Sequence, residues 1–83
     1  MLSDPTNAKE ALDVWRECVM HIDDADVSTS MDAYMSASIV LEFVEIEKIS
    51  LEELVREESE RKLLNKHATL FGDFVDNFKN EIP

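Results

Sequence analysis

Glycine is almost missing from this chain: Gly72 is the only one among 83 residues, beside two prolines and one cysteine. A fold rich in tight turns or hairpins needs residues that accept positive φ, so a loop-rich or all-β domain is excluded. The same scarcity leaves no glycine loop to cradle a phosphate. A single cysteine, Cys18, admits neither an intrachain disulfide nor a cysteine-based zinc cluster, and it fits a reduced, cytoplasmic setting. Bases are scarce too. Eight Lys and Arg stand against 19 Asp and Glu, a net charge of −11, which repels phosphate backbones and anionic bilayers alike. Direct nucleic-acid binding and membrane adsorption are therefore not expected. The opening Met1-Leu2-Ser3-Asp4-Pro5 has neither the basic nor the apolar region of a signal peptide. The densest apolar run, Tyr34 to Val44, is interrupted by Ser36, Ser38 and Glu42 and is too short to span a bilayer.

Hydrophobic residues nevertheless make up 45% of the chain, too many for a disordered acidic tail. The length suits a single domain, residues 1–83, with no room for a separate cofactor domain.

Periodicity and capping signals predict helices throughout. Asp4-Pro5 reads as an N-cap followed by proline at the first helical position. Ala8, Ala11, Leu12, Trp15, Val19 and Ile22 then fall on one face of a first helix, about 5–22. Asp23, Asp24 and Asp26 follow it. Thr29-Ser30-Met31-Asp32 has the form of a capping box opening a second helix, about 30–49. That helix has two apolar stripes. One is Met35, Ile39, Phe43, Ile46 and Ile49; the other is Tyr34, Ala37, Leu41 and Val44. Such a helix is either central or carries a partner surface. The β-branched residues from Ile39 to Ile49 also permit a strand, but no turn supplies a pairing strand. Ser50-Leu51-Glu52-Glu53 is a complete Ser-x-x-Glu capping box, opening a third helix, about 51–71. Its stretch from Arg56 to Lys62 is polar, with Glu57–Arg61 and Glu58–Lys62 spaced as i,i+4 ion pairs. Gly72 reads as a C-cap before a last helix, about 74–80, or else sits inside one continuous helix. The expected fold is all-α: a small three- or four-helix bundle with the second helix central.

The residues that carry chemistry do not assemble into a known constellation. Asp24-x-Asp26-x-Ser28 with Asp32 imitates a calcium-binding loop, but Thr29 replaces its turn glycine and Met35 its bidentate glutamate. Glu17 and His21, four apart, make at most a surface pair, and no Glu-x-x-His motif marks a di-iron bundle. Cys18 and His21 could touch but lack an orienting third group. Glu60-Arg61-Lys62 is a surface helix face and His67 a boundary residue. No catalytic residue, cofactor site or metal site is assigned, and an enzyme is not expected.

Surface remains. Seven acids against two bases give residues 1–26 a net −5, and Glu42, Glu45, Glu52 and Glu53 form a second acidic group. The expected function is binding of another protein with a basic surface, as adaptor, regulator or inhibitor. Trp15, Asp23, Asp24, Asp26, Glu42, Glu45, Glu52 and Glu53 are the candidate contact residues. Tyr34, Phe43 and Phe78 are further aromatic candidates, each of which also suits a core. Two other readings compete. A nucleic-acid mimic would inhibit a DNA- or RNA-binding protein by presenting carboxylates in place of phosphates. A structural homodimer would pair the doubly apolar second helix.

Overall fold

The computed structural model describes residues 4–23 and 25–81, with four helices and no strand among them. They are α1 (Ala8–Met20), α2 (Val27–Glu47), α3 (Leu51–Leu54) and α4 (Glu58–Glu81). α2 packs against α1 on one side and α4 on another, so it is central, as its two apolar stripes predict. The α1 contact is built on small residues. Ala8 and Ala11 on α1, and Ala33, Ser36 and Ala37 on α2, are all buried, which lets the two backbones approach closely. The core joins Ala11, Leu12 and Trp15 of α1 to Ala37 and Val40 of α2, Leu64 of α4 and Val55 of the α3–α4 connection. Leu41, Phe43, Val44 and Leu63 pack around it.

The helix ends differ from the sequence expectation, and each difference has a local cause. α1 begins later than Pro5, because Asn7 Oδ1 accepts the Glu10 N–H at 2.9 Å and makes Asn7 the N-cap. Glu10 in turn accepts from the Thr6 N–H at 2.8 Å and Thr6 hydroxyl at 2.7 Å. That is a capping box displaced by one residue, with the reciprocal bond landing on Thr6. The first free N–H of the helix, that of Ala8, is met from far along the chain by Glu47 Oε2 at 2.7 Å.

α2 begins earlier than expected. Asp26, not Thr29, is its N-cap, accepting from the Ser28 N–H at 3.0 Å and Ser28 hydroxyl at 2.7 Å. Thr29 lies inside the helix and turns its hydroxyl back to the Asp26 carbonyl at 2.8 Å. α2 ends at Lys48, in the left-handed region at φ 56°. There the Ile49 N–H reaches the Val44 carbonyl and the Lys48 N–H the Glu45 carbonyl, the paired bonds of a Schellman stop.

The expected third helix is broken in two. Ser50 precedes α3 without a side-chain capping bond, and residues 55–57 are not helical. The Arg61 guanidinium holds the carbonyls of Val55 and Arg56 at 2.8 and 3.0 Å, supplying partners that a helical backbone would otherwise give them. The Glu58–Lys62 pair forms, at 3.6 Å. Beyond it α4 runs unbroken through Gly72, whose φ is not positive. Gly72 is therefore a helix-interior residue rather than a C-cap.

Candidate functional site

Trp15 is a core residue, 1% exposed. Its indole Nε1–H donates to Nδ1 of His67 at 3.1 Å, and the two rings meet edge to face. Tyr34 lies tilted over the same imidazole, centroid to centroid 5.0 Å. His67 is itself only 6% exposed, a core residue where the sequence suggested a boundary. Its burial pushes the imidazole pKa down, and the neighbouring Lys66 charge adds to that. Trp15 thus offers a partner almost no surface; it ties α1 to α4.

The acids of the α1–α2 connection have structural partners. Asp23 Oδ1 accepts the Ala25 N–H at 2.9 Å, and the Asp26 N–H reaches the Asp23 carbonyl at 2.9 Å. Capping bonds from Ser28 hold the Asp26 carboxyl below its usual pKa. Both residues are exposed, so their charge reaches solvent. Asp24 lies outside the described residues.

Glu42 and Glu45 stand exposed one turn apart near the other end of α2. Asp26 and Glu42 are separated by roughly 24 Å of continuous helix, so the candidate acids fall in two zones. Glu52 and Glu53 are exposed on α3. Glu53 shares a shallow polar hollow with Arg16, Arg56, Glu57 and Glu60, so its surroundings are mixed in sign. In that hollow Arg16 makes a two-pronged bridge to Glu60, 2.7 Å and 3.0 Å. The bonds hold the Glu60 carboxyl below its usual range and raise the Arg16 pKa.

Cys18 Sγ lies 3.6 Å from the Ser36 hydroxyl, whereas His21 Nε2 lies 3.7 Å from Glu17. Among the described residues no group of three or more His, Cys, Asp or Glu is placed to hold a metal ion. None of the described helices is long and apolar enough to cross a membrane.

Exposed apolar side chains form the remaining surface feature. Met35 and Ile46 project from α2, Met20 from α1, Val27 from the start of α2, and Phe74 and Phe78 from the far end of α4. A groove of about 500 Å³ runs over Trp15, Val19, Met20 and Leu63, with the Arg16–Glu60 bridge beside it. The sequence named Phe78 and the Met35–Ile46 stripe, but periodicity alone could not say which apolar face would stay uncovered. No family model matches the chain, no curated protein matches its sequence, and no solved structure matches its fold.

Proposed function

We propose that this protein works without catalysis, by binding a second protein through a basic surface of that partner. The observation that carries the reading is the distribution of charge. No Lys or Arg stands between Arg16 and Lys48, a stretch that holds the end of α1, the acidic connection and the whole of α2. Exposed acids there act over about a Debye length and accelerate encounter with a cationic surface. A nucleic-acid mimic is less well supported. Its negative track would have to cross α4, where Arg61, Lys62 and Lys66 interleave with Glu58 and Glu60.

The test begins with the partner recovered from the source cell and measures stopped-flow association at low and high salt. The comparison variant carries Asp23→Asn, Asp26→Asn, Glu42→Gln and Glu45→Gln. Asn keeps the carbonyl oxygen that caps α2, so charge is removed with little loss of structure. The expected result is an on-rate that falls with salt and with the substitutions, while dissociation changes little. An on-rate indifferent to both reduces the acidic surface to an aid to solubility.

A further inference from the structure

α2 has three sides and the bundle covers two of them. Ala33, Ser36, Ala37 and Val40 are buried in the interior, and Tyr34 meets His67 of α4. The third side holds Met35 and Ile46, with Ile39 at its inner edge, where it also packs against the core. At 100° per residue these positions fall within roughly 40° of one another on the helical circumference. Met35 is 44% exposed and Ile46 71% exposed, with Ile39 half-buried between them. The solvent side of a helix ordinarily carries polar residues, so two uncovered large apolar side chains on one line ask for a cover.

The charge around this line says what kind of cover. Asp32, Glu42 and Glu45 are exposed on the same helix, and α2 has no Lys or Arg anywhere along it. A second copy of this chain is a poor occupant, since symmetric pairing of α2 faces would set these carboxylates against one another. Beside the stripe, where α1 and the segment leading into it meet α2, is a hollow of about 140 Å³, lined by Pro5, Ala11, Val14, Met35, Ser36 and Ile39 with Asp4 at its edge. It is an apolar recess with an acid beside it, suited to an aliphatic anchor from a cationic segment.

We propose that the outer face of α2 is the docking surface for a cationic amphipathic helix of the partner. Leucine-like side chains of that helix lie along Met35, Ile39 and Ile46, and its Lys or Arg side chains reach Asp32, Glu42 and Glu45. The stripe from Met35 to Ile46 spans roughly 16 Å, which a helix of about three turns covers. The inference rests on the reading of the chain as a protein binder and narrows it to one face and one class of partner segment.

The experiment titrates the full chain, methyl-labelled at Met and Ile and ring-labelled at Phe, with three synthetic peptides of about fourteen residues, near 21 Å when helical. The first places leucines on one helical face and lysines and arginines on the rest. The second keeps the leucines and replaces the cations with glutamates. The third scrambles the first, keeping its charge and destroying its stripe. The first peptide alone should shift the Met35, Ile39 and Ile46 methyl signals in a saturable way. Ile46→Asn, and separately Glu42→Lys with Glu45→Lys, should each weaken it at least tenfold. Circular dichroism should remain unchanged, since all three residues are exposed.

Equal binding of the scrambled peptide overturns the amphipathic helix as the occupant. Perturbation centred on Phe74 and Phe78, or no perturbation at all, overturns α2 as the surface. None of these outcomes touches the broader protein-binding reading, which stands or falls on the salt dependence of association with the recovered partner.

Discussion

Trp15 and His67, 52 positions apart in sequence, share a buried hydrogen bond in which the indole N–H donates to an unprotonated imidazole nitrogen. Protonation of Nδ1 would remove that acceptor, orphan the indole N–H and put a cation among buried rings. The direction of the His67 shift agrees, with its pKa lowered from 6.5 chiefly by burial. The unfolded chain therefore binds this proton more readily than the folded one. The stability contributed by neutral His67 is fully present above about pH 6.5 and is lost as pH falls through the folded-state value. Urea unfolding followed by the fluorescence of Trp15, the only tryptophan, should show a midpoint that drops between pH 7 and pH 5. In His67→Gln, which keeps an acceptor but cannot titrate, the profile should be flatter over the same window. Identical slopes in the two proteins would assign the acid sensitivity to other groups.

Burial, rather than apolar character, should rank the effects of truncation. Leu64 is fully enclosed at the meeting of α1, α2 and α4, while Met20 is 79% exposed. Leu64→Ala should cost about 2–5 kcal/mol and Met20→Ala no more than about 0.5 kcal/mol. Thermal and chemical denaturation of the two variants checks this. Similar losses would mean that Met20 is covered in solution.

The starts of α1, α2 and α3 should respond unequally to loss of their leading polar residue. Asn7 and Asp26 accept backbone N–H bonds from Glu10 and Ser28, whereas the Ser50 side chain makes no capping bond. Replacing Asn7 or Asp26 with Ala should cost about 0.5–2 kcal/mol each, and Ser50→Ala clearly less. A large loss at Ser50 would show that the hydroxyl caps α3 in solution.

That inequality also explains what the sequence made legible. The all-α class and the central place of α2 follow from hydrophobic period and glycine scarcity, both of which are local pattern and both present in the structure. Ser50-x-x-Glu53 was the clearest capping signature, yet it opens only α3, a single turn. At the stop at Val55 Arg61 reaches back to two carbonyls, a long-side-chain contact that no glycine or proline marks in the sequence. Asp26 competed with Thr29 for the same helix start, and spacing alone could not rank them. Trp15 and His67 were visible as residues on apolar stripes, but their bond depends on how α1 and α4 lie across α2. Likewise the apolar stripe of α2 was legible as a pattern, while its exposure at Met35 and Ile46 follows from only two helices covering three sides.

The only glycine sits where none is needed, and among the described residues the one in the left-handed region is not a glycine. Gly72 lies inside α4, and a Cβ added there meets nothing within 4 Å. Gly72→Ala should therefore stabilise the protein by about 0.5–1 kcal/mol, by restricting the unfolded chain and favouring the helix. For a domain of this size the melting temperature should rise by about 2–8 °C. Lys48 has the opposite problem: its φ of 56° ends α2 in a conformation that costs a side-chain-bearing residue about 1–2 kcal/mol. Gly at this position would remove the strain and keep both backbone bonds of the stop, less the entropy that glycine adds to the unfolded state. Lys48→Gly should then give a smaller net gain, at most about 1 kcal/mol. Differential scanning calorimetry of the two single variants and the double variant provides the measurement. The sites lie on different helices with no shared partner, so the gains should add to within about 0.5 kcal/mol. A loss at Gly72→Ala would mean that α4 bends or is closely covered there. A loss at Lys48→Gly would mean that the lysine side chain itself supports the end of α2.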